Sequence, residues 1–508
     1  MTACAPKPWP WYPLAWLLAA AVAAGLVLNT RFYAFADPGR PGGHSGHVAV
    51  DFGGQWVLGR MLVRGYGGEL YHRHRLWEVV QDAYPRADEP PGADRHDAEI
   101  LLSTMMGEDD PRWRDAASAA AGPLAAAGPW QAAALLRRAR EELSPGRLAE
   151  LDRPPGPEGV GGALYPPIHA LLFAPLALGD HPREALLAWQ GVLIGLAFLT
   201  GLGASVLSGG RFWWPLAATL VMLYPGFRGA LDLGQNAPLT LAVLVWGWVL
   251  MARGWPGLGG AVWGLLAYKP VWAVSFFLAL VLMRRWRACL GMLALGAALG
   301  LATLPAVGVH AWLDWLRVSR AGAALYNVDY NWVSLSRDLF GIPRRFLLDF
   351  ERPLWQRENL AAALAGWALW LLVLETTVRT YLLAGRKRVP DTGPLPAFLL
   401  LGAWACTYRF MYYDVLASLL AVFVLMADPR PFFRPLRLTG RVVDPDPLGE
   451  GLKDGADPGA KPTPSGGLGS PGPPPVPGRT VCVTNSVVLS LLAALMLVEN
   501  PLGQLKLH

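Results

Sequence analysis

The sequence predicts an all-α polytopic membrane protein of about 10–12 transmembrane helices. Three observations predict it. Only 16% of the 508 residues are charged and 53% are hydrophobic, with a mean hydropathy of +0.30. Soluble domains carry about a quarter charged residues. Apolar runs with few charges recur at 14–29, 165–180, 184–206, 212–227, 236–252, 257–283, 288–307, 361–384, 395–408, 411–427 and 483–498. Trp contributes 23 residues, and many, such as Trp11, Trp213, Trp214, Trp255, Trp312 and Trp315, stand near run ends as an interfacial belt does.

The first run, 14–29, has a weakly basic leader (Lys7) and no small-x-small cleavage site before a soluble domain, so it reads as an uncleaved first helix. A polar loop, 30–163, follows. Its front part, 48–84, has apolar residues at helical spacing, interrupted at Gly65, Gly67 and Gly68. Residues 56–63 are expected to lie flat on the membrane with Arg60 and Arg64 upward. The rear part, about 86–158, is a low-complexity insertion rich in Ala, Pro, Gly and charge.

Several later runs fall short of the roughly 20 residues a perpendicular crossing needs, which suggests half-helices lining a polar interior. The run 257–283 is long instead, and Lys269-Pro270 offers it a break, so this run and 165–180 are each candidates for re-entrant hairpins. The densest basic clusters are Arg284-Arg285-Trp286-Arg287, Arg386-Lys387-Arg388 and 430–441. The positive-inside rule puts them in the cytoplasm, and segments 30–163 and 308–360 outside. Three segments are expected: a transmembrane core over 1–427, a Pro/Gly-rich disordered cytoplasmic linker over 428–480, and a C-terminal apolar helix within 481–508.

The net charge of +6 is modest and lies in short loops, with no basic stripe interleaved with aromatics, which excludes a nucleic-acid partner. The four cysteines are scattered and form neither a disulfide framework nor a zinc site. No fixed-period repeat appears, which weakens a transporter built from inverted repeats.

Polar residues stranded among apolar runs carry the chemistry. Asp51 opens the polar segment beyond the first helix, where a carboxylate could take a proton from a hydroxyl of a substrate held at the membrane surface; otherwise it caps a helix. Gln235 and Asn236, at a helix start, are candidate ligands of a phosphate or sugar, or simply a capping turn. Lys269, within an apolar run, suits a lipid phosphate or pairs with a nearby acid. Arg409 suits bidentate phosphate contact unless it pairs with Asp414. Tyr165 (in Tyr165-Pro166-Pro167), Tyr412, Asp414, Asn331 and Trp332 are candidate substrate-lining residues. A single carboxylate without a DxD partner offers a divalent ion few oxygens, so no metal and no cofactor is expected.

Four motifs in order, Asp51-Phe52, Tyr165-Pro166-Pro167, Gly234-Gln235-Asn236 and Gly264-Leu265-Leu266-Ala267-Tyr268-Lys269-Pro270 followed by the 284–287 basic cluster, make residues 14–427 resemble glycosyltransferase family 87. The resemblance implies a GT-C-type fold with a large first extracytoplasmic loop. It implies a plasma (inner) membrane hexosyltransferase that takes mannose from a polyprenyl-phosphate donor to a lipid or glycan acceptor, with inversion. Asp51 would be the catalytic base, and Lys269, Arg409, Gln235 and Asn236 the donor or phosphate ligands. The insertion at 86–158 and the tail beyond 427 stand outside the resemblance. Two rival readings are a lipid or solute transporter, with Lys269 and Arg409 in a translocation path, and a scaffold docking through its Pro-rich tail.

Overall fold

The computed structural model describes residues 11–36, 51–72, 164–328, 330–350, 359–385 and 389–428, single residues 75, 79 and 357, and the pairs 436–437 and 482–483. The insertion at 86–158, almost all of the 428–480 linker and the apolar stretch 483–498 (beyond Val483) lie outside the described residues, as does the 386–388 cluster. The described chain is all-α apart from one two-residue ladder, Leu436–Arg437 with Cys482–Val483.

Helix α1 (Tyr12–Ala36) packs on α5 (Trp214–Leu223) through Trp16, whose ring meets Trp214 edge-on at 5.0 Å and stacks on Phe198 at 5.9 Å. Ala15 and Ala19 are buried there, while Leu14, Leu17, Leu18 and Leu28 are exposed. Outward apolar side chains recur on α13 (Leu360–Leu383) at Leu364, Trp367, Leu371 and Leu372, which makes a lipid-facing rim. Among the described residues four helices are long and apolar enough to cross a membrane: Tyr12–Thr30, Glu184–Leu207, Trp286–Leu316 and Leu360–Leu383. Shorter apolar helices complete the bundle: α5, α7 (Ala237–Ala252), α9 (Pro270–Leu282), α14 (Pro394–Ala405) and the stretch Tyr412–Met426. Neighbours bury nearly all of α7, whereas α9 leaves Val274 and Leu278 exposed.

Proline sets half of the helix starts among α1–α14. Pro167, Pro182, Pro215, Pro238, Pro256, Pro270 and Pro394 open α3 (Pro167–Phe173), α4 (Pro182–Leu207), α5, α7, α8 (Pro256–Gly264), α9 and α14. The first turn of a helix has no use for that amide, and proline's fixed φ already suits it.

Several expectations are revised. The run 165–180 is no span: α3 has 7 residues and turns back into α4. The run 257–283 does break at Lys269, where α8 and a 3-10 turn (Leu265–Tyr268) end and α9 begins; Lys269 has φ −136° and ψ 78°. The expected 288–307 span is the first half of α10 (Trp286–Leu325), broken at Gly308 with φ 70° just after Pro305. Residues 56–63 do not lie on a membrane surface. They belong to α2 (Phe52–Val63), in which every residue from Phe52 to Met61 is buried. Arg60, expected to point upward, turns inward to Asp180 and to the carbonyls of Ala177 (3.0 Å) and Leu178 (3.3 Å). A helix with Gly53, Gly54 and Gly59 has little bulk, so it tucks under α3, where the Phe173–Ala174 backbone closes directly on Gly59.

α8 and α10 approach as closely as small residues permit. A Cβ on Gly260 would collide with the Ala288 carbonyl, and one on Gly291 with that of Gly257. In an apolar solvent, such backbone proximity is what holds helices together.

The helix ends sort by chemistry. Arg211, Arg253, Arg284, Arg285 and Arg287 follow α4, α7 and α9 at one end of the bundle. There Arg285 lies 4.5 Å over the Trp248 ring and donates to Asp391 at 2.7 Å. Asn236 and Lys269 begin α7 and α9 at the opposite end, where Arg409 follows the last turn of α14. A segment of short helices, α11 (Tyr330–Leu335) and α12 (Gly341–Leu347), is stitched over that end: Arg337 donates its amide to the Phe410 carbonyl at 2.9 Å, beside the bridge of Ser336 with Met411.

Candidate active site

Asp51 caps the start of α2, and its Oδ1 accepts from Gln235 Nε2 at 2.8 Å. The other end of that amide, Gln235 Oε1, accepts from the Tyr165 hydroxyl at 3.0 Å. A second glutamine runs parallel. Gln55 Nε2 donates to the carbonyls of Asp51 and Gly234, each at 3.2 Å. Gln55 Oε1 accepts from Asn236 Nδ2 at 3.2 Å and faces His169 Nε2 at 3.0 Å. Two carbonyls can be met only by the NH2 side of Gln55, so its oxygen faces His169, which must carry its proton on Nε2. The His169 ring stacks on Tyr165 at 4.0 Å and on Phe173 at 4.8 Å.

Gly234 makes this turn possible. It sits at φ 63°, and an added Cβ would stand 2.7 Å from both Leu186 Cδ1 and Phe52 Cβ. Left-handed backbone costs an L-residue about 1–2 kcal/mol, and overpacking adds about 1–3 more. Gly234→Ala is therefore expected to lower the thermal midpoint of the detergent-purified protein by several degrees and to cut activity, since Phe52 adjoins Asp51. A midpoint equal to wild type would show that the turn relaxes freely.

Two cations arrive from other elements. Lys269, at the α8–α9 break, places Nζ 2.6 Å from Asp414 Oδ1 and 5.7 Å from the Tyr413 ring centroid. Asp414 is 2% exposed, and its Oδ2 accepts from the Met411 amide at 3.3 Å. Arg409 does not pair with Asp414. Its guanidinium contacts Asn327 Oδ1 and lies 3.7 Å from Asp338 Oδ1. The Asp338 oxygen is already occupied by the Phe340 and Gly341 amides, at 2.9 and 2.8 Å. Among the described residues Arg409 Nε and Nη1 are buried without hydrogen-bond partners. Arg409 itself holds φ 59°, outside the comfortable range of a residue with a side chain, between the rings of Phe340 and Tyr408. Such strain persists where the surroundings over-determine it.

The carboxylates share one neighbourhood. Burial raises the pKa of Tyr165 and Tyr326 well above the ordinary phenol range, and the charges of Asp414 and Asp51 both add to it. Both phenols are therefore donors at physiological pH.

The structure thus brings Asp51, Tyr165, Gln235 and Asn236 into one network and sets Lys269, Asp414 and Arg409 beside it. Trp332 is close by through its ring, 3.8 Å from that of Tyr326. Tyr412 lies against Gly229 of α6 (Phe227–Leu233), 5.3 Å from the Tyr413 ring. Asn331 is in α11. Sequence reading missed Gln55, His169, Asn327, Tyr326 and Asp338. Gln55 and His169 sat in apolar stretches one helical face apart from nothing obviously polar, and only their pairing across 114 residues reveals them. Among the described residues no group of three or more His, Cys, Asp or Glu could hold a metal ion.

Residues 163–390 match the model of glycosyltransferase family 87. Over that segment the chain is similar to glycosyltransferase family 87. The matched segment holds Tyr165, His169, Gln235, Asn236, Lys269, Trp332 and Asp338, whereas Asp51 precedes it and Arg409 and Asp414 follow it. The family 87 segment therefore supplies one wall of the site, and its flanks the other. No curated protein and no solved structure matches the chain.

Proposed function

We propose that this membrane glycosyltransferase has a GT-C-type fold and moves a hexose, mannose by family likeness, from a polyprenyl-phosphate donor to a lipid or glycan acceptor. The observation that carries this reading is a carboxylate, Asp51, and a buried arginine, Arg409, both within electrostatic reach of Tyr326, the arginine having Nε and Nη1 without hydrogen-bond partners among the described residues. The acceptor hydroxyl attacks the anomeric carbon as the C1–oxygen bond to phosphate breaks. Asp51 takes the hydroxyl proton, and the phosphate leaves with the bonding electrons. One displacement inverts the anomeric centre. Arg409 offers its Nε and Nη1 hydrogens to the departing phosphate, and Lys269 adds charge beside it, in surroundings where preorganised donors are strongest. Gln235 is better used within the Asp51 network, to which its amide is committed, and Asn236 donates its Nδ2 to Gln55 while its Oδ1 is buried without a partner among the described residues. Tyr326, Trp332 and Tyr412 supply rings for sugar or prenyl contact.

Placement on the extracytoplasmic side of the inner membrane is supported by the helix ends. The arginine-rich end lies opposite the site, and arginine-rich ends favour the cytoplasm.

The test is transfer by the purified protein from a panel of radiolabelled polyprenyl-phosphate hexoses to a total membrane lipid extract. Transfer from the mannose donor is expected; transfer from none of the panel would reject the donor class. Arg409→Lys keeps a cation and the same backbone preference but loses the planar fork. Charged hydrogen bonds are worth about 1.5–3 kcal/mol, so donor KM should rise roughly tenfold or more with the fold intact. An unchanged donor KM would detach Arg409 from the phosphate.

A further inference from the structure

The glutamine beside Asp51 is held at both ends. Gln235 is 2% exposed, and its carbonyl oxygen is met by a phenol that burial keeps protonated, so it can only donate there. An amide whose oxygen is taken by a donor cannot flip without facing its NH2 group to that donor and its oxygen to a carboxylate. Its N–H is thus locked onto Asp51 Oδ1. Tyr165 is locked in turn. Its ring stacks on His169, and its backbone carbonyl accepts from the Tyr71 hydroxyl at 2.6 Å.

We infer that Tyr165 and Gln235 are a positioning pair that sets the orientation of Asp51. Neither touches the reacting atoms in this scheme. With its N–H locked onto Oδ1, the amide fixes where the remaining lone pairs of the half-buried carboxylate point. The inference rests on Asp51 as the base of the proposed transfer. It assigns to Tyr165 a task other than lining a substrate, and to Gln235 one other than binding phosphate.

The experiment compares wild type, Tyr165→Phe and Gln235→Leu in two readouts. The first is single-turnover transfer from polyprenyl-phosphate mannose to membrane lipid extract, with donor KM measured beside it. The rate should fall roughly tenfold in Gln235→Leu and by less in Tyr165→Phe, since one orienting hydrogen bond is lost or loosened, while donor KM stays within about two-fold of wild type. The second readout is thermal unfolding in detergent, which should move by only a few degrees. A rate equal to wild type in Gln235→Leu overturns the inference, and so does a donor KM that rises in step with the lost rate, the mark of a general structural defect. Asp51→Asn with full activity would instead remove the base reading on which the inference rests.

Discussion

Asp51→Asn is expected to lose transfer by roughly 10²–10⁴-fold, the usual worth of a positioned general base. The fold should survive, because asparagine has the same shape and its side-chain oxygen still accepts from Gln235 Nε2. Gln55 contacts only the Asp51 backbone carbonyl, which the substitution leaves in place. Donor binding should be close to wild type, since the phosphate contacts lie on Arg409 and Lys269. The loss should fall on kcat, equivalent to about 3–5 kcal/mol of barrier. The measurement is single-turnover transfer by purified protein alongside donor binding. Transfer within a few-fold of wild type would end the case for Asp51, and the hydroxyl proton would then have to leave by another route.

Breaking the buried ion pair gives the second large effect. Lys269→Met leaves the Asp414 carboxylate, 2% exposed, without its 2.6 Å partner. Removing one member of such a pair costs about 3–5 kcal/mol, because a charge stays buried and uncompensated. Asp414→Leu should cost a similar amount for the opposite reason. The double variant Lys269→Met/Asp414→Leu should recover most of the lost stability, since packed apolar side chains replace buried ion pairs at little net cost. Thermal unfolding of the four proteins in detergent gives the coupling directly. Donor KM in the double variant separates the roles of Lys269. It should stay several-fold above wild type if Lys269 helps hold the phosphate. Recovery of both stability and donor KM would make the lysine a structural counter-charge alone.

Both predictions concern residues visible in the sequence, yet their partners were not. Lys269 stood out because a lysine in an apolar run has few reasons to be there, and either reading of it, phosphate ligand or partner of an acid, was open. Its partner is 145 residues away, and the pairing exists because the α8–α9 break and the 412–418 turn meet. Arg409 shows the same limit. Five residues separate it from Asp414, so a local pair looked natural, but its left-handed backbone turns the side chain to Asp338 and Asn327 instead. Residues 56–63 misled for a different reason. Apolar residues flanked by arginines describe an interfacial helix and a buried one equally well, and Gly59 decides for burial only once α3 is there to pack against it.

Local chemistry was enough for what depends on solvent alone: apolar runs without charge must be helices in lipid, proline must start them, and a Lys-Pro inside one must break it. Those constraints act within one segment, because the bilayer satisfies no backbone group. The site was decided elsewhere. Gln55 with His169, Gln235 with Asp51, and Arg409 with Asp338 are contacts between segments 71–184 residues apart. Each is worth having only because burial removes water as a competitor, and which side chains are buried together is a property of the packed bundle.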